Sequence, residues 1–234
     1  MNLPNAITAA RIAVAPLIAL LPLLPTPGAR LAAFVLYTVA AITDYWDGHL
    51  ARSRNMVTDL GRLLDPLADK ALLVATLVPM YLLQRGPLLE SGASVSVVAA
   101  TGDLRFLTPL GVSGLPLWIV VVVLGRELFM TLFRQFAKRR GVVISAIGPA
   151  KWKTGFQSLW VGSAYCWFFA LTLAEQRGWR GDATAGPWWT AFTALNGVVG
   201  TLAMWGAVTL TLYSLWLYLR RYGDLLRQPT APLR

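Results

Sequence analysis

Four aspartates lie in the second and third apolar segments of the chain, where charged side chains are otherwise rare. Asp44 and Asp47 are three residues apart, and Asp65 and Asp69 are four apart. Residues at these spacings share one face of a helix, so each pair would present its carboxylates side by side. Ionised groups at membrane depth are costly unless they meet a cation, a counter-charge or water. The spacing therefore predicts a functional site, and a divalent metal site is the first interpretation.

The turn at 52–61 would let the two helices run antiparallel, so that all four carboxylates converge. Hard oxygen ligands with a surplus of negative charge suit Mg²⁺ or Mn²⁺, and two adjacent ions could share bridging carboxylates. The small residues Gly48, Ala51 and Gly61 would leave room for a phosphorylated ligand to approach the backbone. An EF-hand is excluded, because its ligands alternate through one continuous loop.

Two other interpretations compete with the metal site. Asp65 could cap the third helix, with Pro66 at the first helical position, and the other aspartates could pair with Arg52, Arg62 or Lys70. A transporter or channel could also hold buried acids in a helical bundle. Such a protein would not require the small residues and Arg52 at these positions.

The composition indicates that these acids are surrounded by lipid. Of the 234 residues, 56% are hydrophobic and 14% are charged, which is too apolar for an ordinary soluble domain. We therefore predict an all-α integral membrane protein, a single domain over 1–234 in which six transmembrane helices form one bundle. A spanning helix needs about 20 mostly apolar residues, and the segments that qualify are roughly 6–24, 30–51, 62–84, 114–137, 154–175 and 190–219.

The basic residues predict the orientation of these helices. Fourteen Lys and Arg residues fall in the amino terminus, the 52–62 turn, the 134–153 loop and the tail, against five in the remaining loops. By the positive-inside rule the first group is cytoplasmic. Both termini, a basic tail at about 220–234 and the acidic site then face the cytoplasm, as in a multi-pass protein of the inner (cytoplasmic) membrane.

Four further features bear on the topology and the partners of the protein. The first segment is expected to be a retained helix rather than a signal peptide, because no basic residue precedes Arg11. The single cysteine, Cys166, permits no intrachain disulfide. The net charge of +10 is spread over helix ends rather than one soluble face, so nucleic acid is not expected as a partner. The 85–113 stretch is expected outside the cytoplasm as a loop or short interfacial helix.

Residues 44–69 match, position by position, the signature D-x2-D-G-x2-A-R-x8-G-x3-D-x3-D. In this the chain resembles the CDP-alcohol phosphatidyltransferases, integral membrane enzymes of phospholipid synthesis. The resemblance implies that Asp44, Asp47 and Asp65 hold divalent metal, Mg²⁺ or Mn²⁺, and two ions are expected. It also implies that Asp69 lies near the ions and acts as the base on the acceptor hydroxyl. The residues implied to line the cytidine diphosphate pocket are Asp44, Gly48, Ala51, Arg52 and Gly61.

A second polar cluster bears on the acceptor. Arg126 and Arg134 are eight residues apart on one predicted helix, and Lys151 and Lys153 follow at the start of the next. Together they could clamp a phosphate, which favours a phosphorylated acceptor. An internal ion pair between Arg126 and Glu127 competes with this role, and the basic run at 138–140 is better explained by contact with anionic headgroups.

Shorter motifs narrow the resemblance to one branch of the family. The amino terminus at 2–11, Gly-Arg-Glu at 125–127 and Lys-x-Lys-Thr at 151–154 resemble the branch that joins CDP-diacylglycerol to sn-glycerol 3-phosphate. The products would be phosphatidylglycerophosphate and CMP. Pro149–Ala150 departs from the expected spacing before Lys151. The alternatives are a CDP-dependent cardiolipin synthase, or a member that uses inositol phosphate or serine. The expected partners are both substrates and membrane lipids, and a homodimer is compatible with them.

Overall fold

The computed structural model describes residues 3–53, 59–85, 104–142, 144, 148–179 and 186–223. Within these ranges the side chains at 3–5, 45–53, 59–63, 65 and 149–151 lie outside the description. The described residues form six α-helices, one 3₁₀ turn and one short β-hairpin. In chain order the elements are α1 (Leu3–Leu20), the 3₁₀ turn (Leu21–Leu23), α2 (Pro27–Ser53), α3 (Asp59–Gln84), β1 (Phe106–Thr108), β2 (Gly111–Ser113), α4 (Leu117–Arg139), α5 (Gly148–Gln176) and α6 (Pro187–Tyr222).

Each of the six predicted segments overlaps one of these helices, so the mostly helical architecture is confirmed. Within the described ranges, three stretches are long and apolar enough to cross a membrane: Ala6–Leu23, Pro66–Gln84 and Pro187–Tyr222. Apolar side chains such as Leu20, Val39 and Leu202 remain exposed on the outside of the helices. An apolar outer surface is what a helical membrane protein presents to lipid.

Local sequence signals set the helix ends. Thr26 caps α2, because its hydroxyl oxygen accepts a hydrogen bond from the Ala29 amide at 3.4 Å while Pro27 takes the first helical position. At the end of α5, Gly178 adopts a left-handed φ of 68°. The Trp179 amide then donates to the Ala174 carbonyl at 2.8 Å. This reversal satisfies the last carbonyls of the helix, as in a Schellman motif.

Helix α5 lies at the centre of the bundle. It packs against α6 and α2, and its Trp160, Tyr165 and Trp167 are almost completely buried. The Tyr165 hydroxyl lies 3.1 Å from the Ile18 carbonyl and 3.4 Å from the Ala75 carbonyl. Those carbonyls lack their usual helical donors, because the residues four positions later are Pro22 and Pro79. The Tyr165 hydroxyl is therefore within hydrogen-bond distance of two carbonyls, on different helices, that have lost their helical donors to proline.

The 85–113 stretch contains a hairpin that the sequence did not predict. In it Leu107 pairs with Val112 across an antiparallel two-stranded sheet. Phe106 is buried against α6, where a Cβ at Gly200 would lie 2.5 Å from its ring. The expectation of a loop or a short helix is therefore wrong for the described part, residues 104–113, because glycines on α6 admit a strand against the helix. Residues 86–103 lie outside the described ranges.

Candidate active site

Asp44 of α2 and Asp69 of α3 meet at one nitrogen of Arg11. The Nη1 atom of Arg11 donates to Asp44 Oδ1 in a short ion pair and lies 3.6 Å from Asp69 Oδ1. The Arg11 side chain is only 3% exposed, whereas those of Asp44 and Asp69 are 41% and 64% exposed. One carboxylate oxygen from each of two helices thus lies close to the same guanidinium nitrogen, and both carboxylate side chains remain partly exposed.

The packing of α1 explains why Arg11 reaches both acids. This helix packs against α2 and against α3, and Arg11 is its one charged residue. Thr8, one turn earlier on the same face, is also buried. A lone charge within an apolar helix needs a partner at membrane depth. The isolated position of Arg11 in an apolar helix is evident from the sequence, but the sequence does not indicate which acids Arg11 contacts.

Asp44 and Asp69, the two signature aspartates whose side chains the structure describes, are suited to binding a divalent cation. A positive charge already lies where the oxygens of Asp44 and Asp69 converge, and carboxylate oxygens are the ligands that Mg²⁺ and Mn²⁺ prefer. Among the side chains that the structure describes, no group of three or more His, Cys, Asp or Glu could hold a metal ion. The backbone places the other predicted positions on α2 and α3, but their side chains lie outside the description: Asp47, Gly48, Ala51, Arg52, Gly61 and Asp65.

A second polar cluster is built around Glu127 of α4. Glu127 Oε1 accepts a hydrogen bond from Arg126 Nη1 at 2.8 Å and a shorter one from Lys153 Nζ of α5. Arg126 and Lys153 are each only 6% exposed. The ion pair between Arg126 and Glu127, which the sequence offered as the alternative to phosphate binding, is therefore present, and Lys153 joins it. Buried charges require such pairing and hydrogen bonding.

Helix α6 completes this cluster with residues that sequence reasoning missed. Ser214 Oγ accepts a hydrogen bond from Arg126 Nη2 at 2.9 Å, and Tyr218 Oη accepts one from Arg134 Nη2 at 3.3 Å. The Tyr218 ring also lies below both guanidinium groups, 6.0 Å from Arg126 Cζ and 5.7 Å from Arg134 Cζ. Nothing in the local sequence distinguishes these two residues from other polar residues of an apolar helix.

The structure therefore unites three of the four predicted acceptor-site residues: Arg126, Arg134 and Lys153. Lys151 lies on the first turn of α5, but its side chain is outside the description. Three cations and one carboxylate leave the described cluster with a surplus of two positive charges. Such a cluster can bind a doubly charged anion.

The comparisons with known proteins identify the family of the chain. The sequence profile of the CDP-alcohol phosphatidyltransferase family matches residues 1–213. The chain belongs to this family. It is 30% identical over 238 aligned positions to the CDP-diacylglycerol--glycerol-3-phosphate 3-phosphatidyltransferase of Bacillus subtilis (strain 168), covering 97% of each chain. The predicted resemblance is confirmed, and the chain is a membrane-embedded phosphatidyltransferase.

Other phosphatidyltransferases of the family match shorter stretches. A probable phosphatidylglycerophosphate synthase of Mycobacterium tuberculosis is 33% identical over 69% of this chain and 64% of its own length. An enzyme of Rickettsia bellii with the same name as the Bacillus relative is 48% identical over 35% of this chain and 44% of its own length. All three relatives are named for the same reaction.

Proposed function

We propose that this phosphatidyltransferase transfers the phosphatidyl group of CDP-diacylglycerol to sn-glycerol 3-phosphate, giving phosphatidylglycerophosphate and CMP. The observation that carries the proposal is the Bacillus relative, whose name states this reaction and whose alignment covers 97% of both chains. The basic cluster of α4, α5 and α6 supports the proposal independently, because it offers a phosphate site to the acceptor.

The reaction requires one bond to form at phosphorus and one to break. The acceptor hydroxyl oxygen attacks the phosphorus joined to the lipid, and the bond from that phosphorus to the pyrophosphate bridging oxygen breaks, releasing CMP. Asp69 accepts the hydroxyl proton. Its side chain is 64% exposed beside Asp44, so the carboxylate is open to a substrate. Positioning and charge account for most of the rate in such transfers.

The proposed nucleotide site lies on α2 and α3. Asp44, Asp47, Asp65 and Asp69 would hold two Mg²⁺ or Mn²⁺ ions, and Gly48, Ala51, Arg52 and Gly61 would line the pocket for the cytidine diphosphate group. Bound metal would stabilise negative charge on the pyrophosphate oxygens. Support for this site comes from the convergence of Asp44 and Asp69 on Arg11 and from the family membership.

The proposed acceptor site consists of Arg126, Arg134, Lys151 and Lys153. Its surplus of two positive charges among the described residues suits the phosphomonoester of glycerol 3-phosphate, which carries close to two negative charges near neutral pH. The alternative acceptor is phosphatidylglycerol, as in a CDP-dependent cardiolipin synthase. Its phosphodiester carries one negative charge and would leave part of the cluster uncompensated.

We also propose that all six helices span the inner membrane, with both termini and the active site in the cytoplasm. The distribution of Lys and Arg supports this orientation. The contacts of α4 with α6 support it too, since Arg126 meets Ser214 while Arg134 meets Tyr218. These pairs follow the same order along both helices, so α4 and α6 run in the same direction, as alternating spans require. If the protein is a homodimer, the protein component of its detergent complex would have twice the 25.5 kDa chain mass.

The test is an acceptor panel with the purified full-length protein. CDP-diacylglycerol and Mg²⁺ are supplied with glycerol 3-phosphate, phosphatidylglycerol, inositol phosphate or serine in separate reactions, and released CMP is measured. We expect CMP release that depends on glycerol 3-phosphate. Release only with phosphatidylglycerol would reassign the enzyme as a cardiolipin synthase. No release with any of the four acceptors would overturn the proposed reaction.

A further inference from the structure

We propose that Ser214 and Tyr218 of α6 are positioning residues that orient Arg126 and Arg134 toward the phosphate of the acceptor. This inference rests on the proposed function, because it takes the basic cluster to be the acceptor site. It adds a third helix to that site. Affinity for glycerol 3-phosphate would then depend on side chains that never touch the reacting atoms.

Ser214 fixes the guanidinium group of Arg126. Its hydroxyl is fully buried and donates to the Thr211 carbonyl at 3.0 Å, which directs its lone pairs away from the backbone of α6. It accepts from Arg126 Nη2 at 2.9 Å, while Arg126 Nη1 donates to Glu127 at 2.8 Å. With both terminal nitrogens engaged, the plane of the guanidinium is set. A planar donor group that is oriented in advance loses less entropy when it binds an oxyanion.

Tyr218 holds both arginines through different parts of one side chain. Its side chain is fully buried, and its hydroxyl accepts from Arg134 Nη2 at 3.3 Å. The face of its ring lies about equally far from the two guanidinium carbons, at 5.7 Å and 6.0 Å. Guanidinium groups are attracted to an aromatic face at this distance. The ring thus keeps two like charges close together, where an anion that meets both is strongly favoured.

The spacing along the two helices fits this role. Arg126 and Arg134 are eight residues apart on α4, and Ser214 and Tyr218 are four apart on α6, so each pair lies on one face. The Tyr218 ring also belongs to an apolar cluster with Met130 and Phe133 of α4. A purely structural role would need only the ring of Tyr218. The positioning role also needs its hydroxyl, so phenylalanine separates the two possibilities.

The experiment compares Tyr218→Phe, Tyr218→Leu and Ser214→Ala with the wild-type enzyme. The matched control is Tyr213→Phe, which removes a hydroxyl from an exposed tyrosine of the same helix. The KM values for glycerol 3-phosphate and for CDP-diacylglycerol and the kcat are measured for each. We expect Tyr218→Phe and Ser214→Ala to raise the acceptor KM about three- to tenfold, and Tyr218→Leu to raise it further. The KM for CDP-diacylglycerol and all values for the control should be unchanged.

Arg134→Ala, measured alongside, distinguishes failure of this inference from failure of the proposed site. If Arg134→Ala raises the acceptor KM while Tyr218→Phe and Ser214→Ala leave it at the wild-type value, the positioning role is wrong and the acceptor site stands. If Arg134→Ala also leaves the acceptor KM unchanged, the site assignment itself is wrong. If Tyr218→Phe and Ser214→Ala raised the KM values for both substrates equally, the two residues would act through stability alone and the inference would be overturned.

Discussion

Asp44 and Asp69, from different helices, share a single nitrogen of Arg11 as their cationic neighbour. The residue that joins them comes from α1, a helix outside the aspartate signature. The acidic site is therefore assembled from three helices rather than from the two that carry the signature. In the absence of bound metal, Arg11 supplies a positive charge that offsets repulsion between the acids.

Replacing Arg11 should make the stability of the enzyme depend on metal. Arg11→Met keeps an unbranched side chain of similar length but leaves Asp44 and Asp69 without this cation. We expect the variant to lose roughly 1–3 kcal/mol of stability in EDTA, because a partly buried carboxylate loses its counter-charge. Added Mg²⁺ should recover part of the loss. Thermal unfolding in detergent, with and without Mg²⁺, measures both effects.

The matched control for that experiment is Arg220→Met. Arg220 lies on α6 with its guanidinium 5.2 Å from the ring of Trp216, and we place it in neither site. It should show no difference between EDTA and Mg²⁺. If Arg11→Met lost the same stability in both conditions, Arg11 would act through packing and not as a stand-in for metal charge.

Asp69→Asn should abolish transfer while preserving the fold. The amide has nearly the same shape, but it cannot accept the proton of the acceptor hydroxyl. We expect CMP release to fall by at least about 10²-fold, as for the loss of a general base. Calorimetric binding of CDP should be largely retained, and the melting temperature should stay close to that of the wild type. Full activity in this variant would remove Asp69 from the mechanism.

Glu175→Gln provides the comparison for Asp69→Asn. It also removes one carboxylate charge, but from an exposed position near the end of α5. It should leave CMP release unchanged. Comparable losses in the two variants would mean that net charge, and not the position of Asp69, controls the rate.

Tyr165→Phe should destabilise the bundle without changing the substrate preference. The hydroxyl of Tyr165 serves the carbonyls of Ile18 and Ala75, whose helical donors are replaced by prolines. Leaving buried carbonyls unpaired costs about 1–3 kcal/mol. Thermal unfolding should show the loss, while acceptor KM stays constant. Tyr213→Phe, at an exposed position, should have little effect, and equal melting temperatures for the two variants would show that the carbonyls find other donors.

Gly197→Ala should separate the hairpin from α6. A Cβ at Gly197 would lie 1.8 Å from the carbonyl oxygen of Leu107, and backbone cannot move aside as a flexible side chain can. Overpacking of this kind costs about 1–3 kcal/mol. Gly28→Ala is the control, since a Cβ there meets nothing within 4 Å. Thermal unfolding compares the two, and an unaffected Gly197→Ala would mean that the hairpin contributes little to stability.

The sequence predicted the features that depend on local pattern. Runs of apolar residues located all six helices, and the fixed spacing of the aspartates identified the family. The spacing of Arg126 and Arg134 also placed both on one face of α4, where the structure has them. These features could be predicted because helical periodicity alone decides which residues share a face.

Contacts between distant helices could not be predicted in this way. Arg11 meets Asp44 only because α1 packs against α2, and Ser214 meets Arg126 only because α6 lies beside α4. The hairpin of β1 and β2 could not be predicted for a related reason. Its strands are three residues each, too short for a clear alternation, and they lie against glycines of a helix that follows much later in the chain.

The 36 residues of α6 give that helix a length of about 54 Å, well beyond the roughly 30 Å of hydrocarbon in a bilayer. Ser214 and Tyr218 lie more than about 40 Å along it from Pro187, close to its far end. If Trp188 and Trp189 rest at one interface, even a strongly tilted helix would deliver the basic cluster to the opposite headgroup layer. A water-soluble phosphorylated acceptor would then reach the cluster from the aqueous side without entering the hydrocarbon core. The lipid donor would reach the enzyme by lateral diffusion within the membrane.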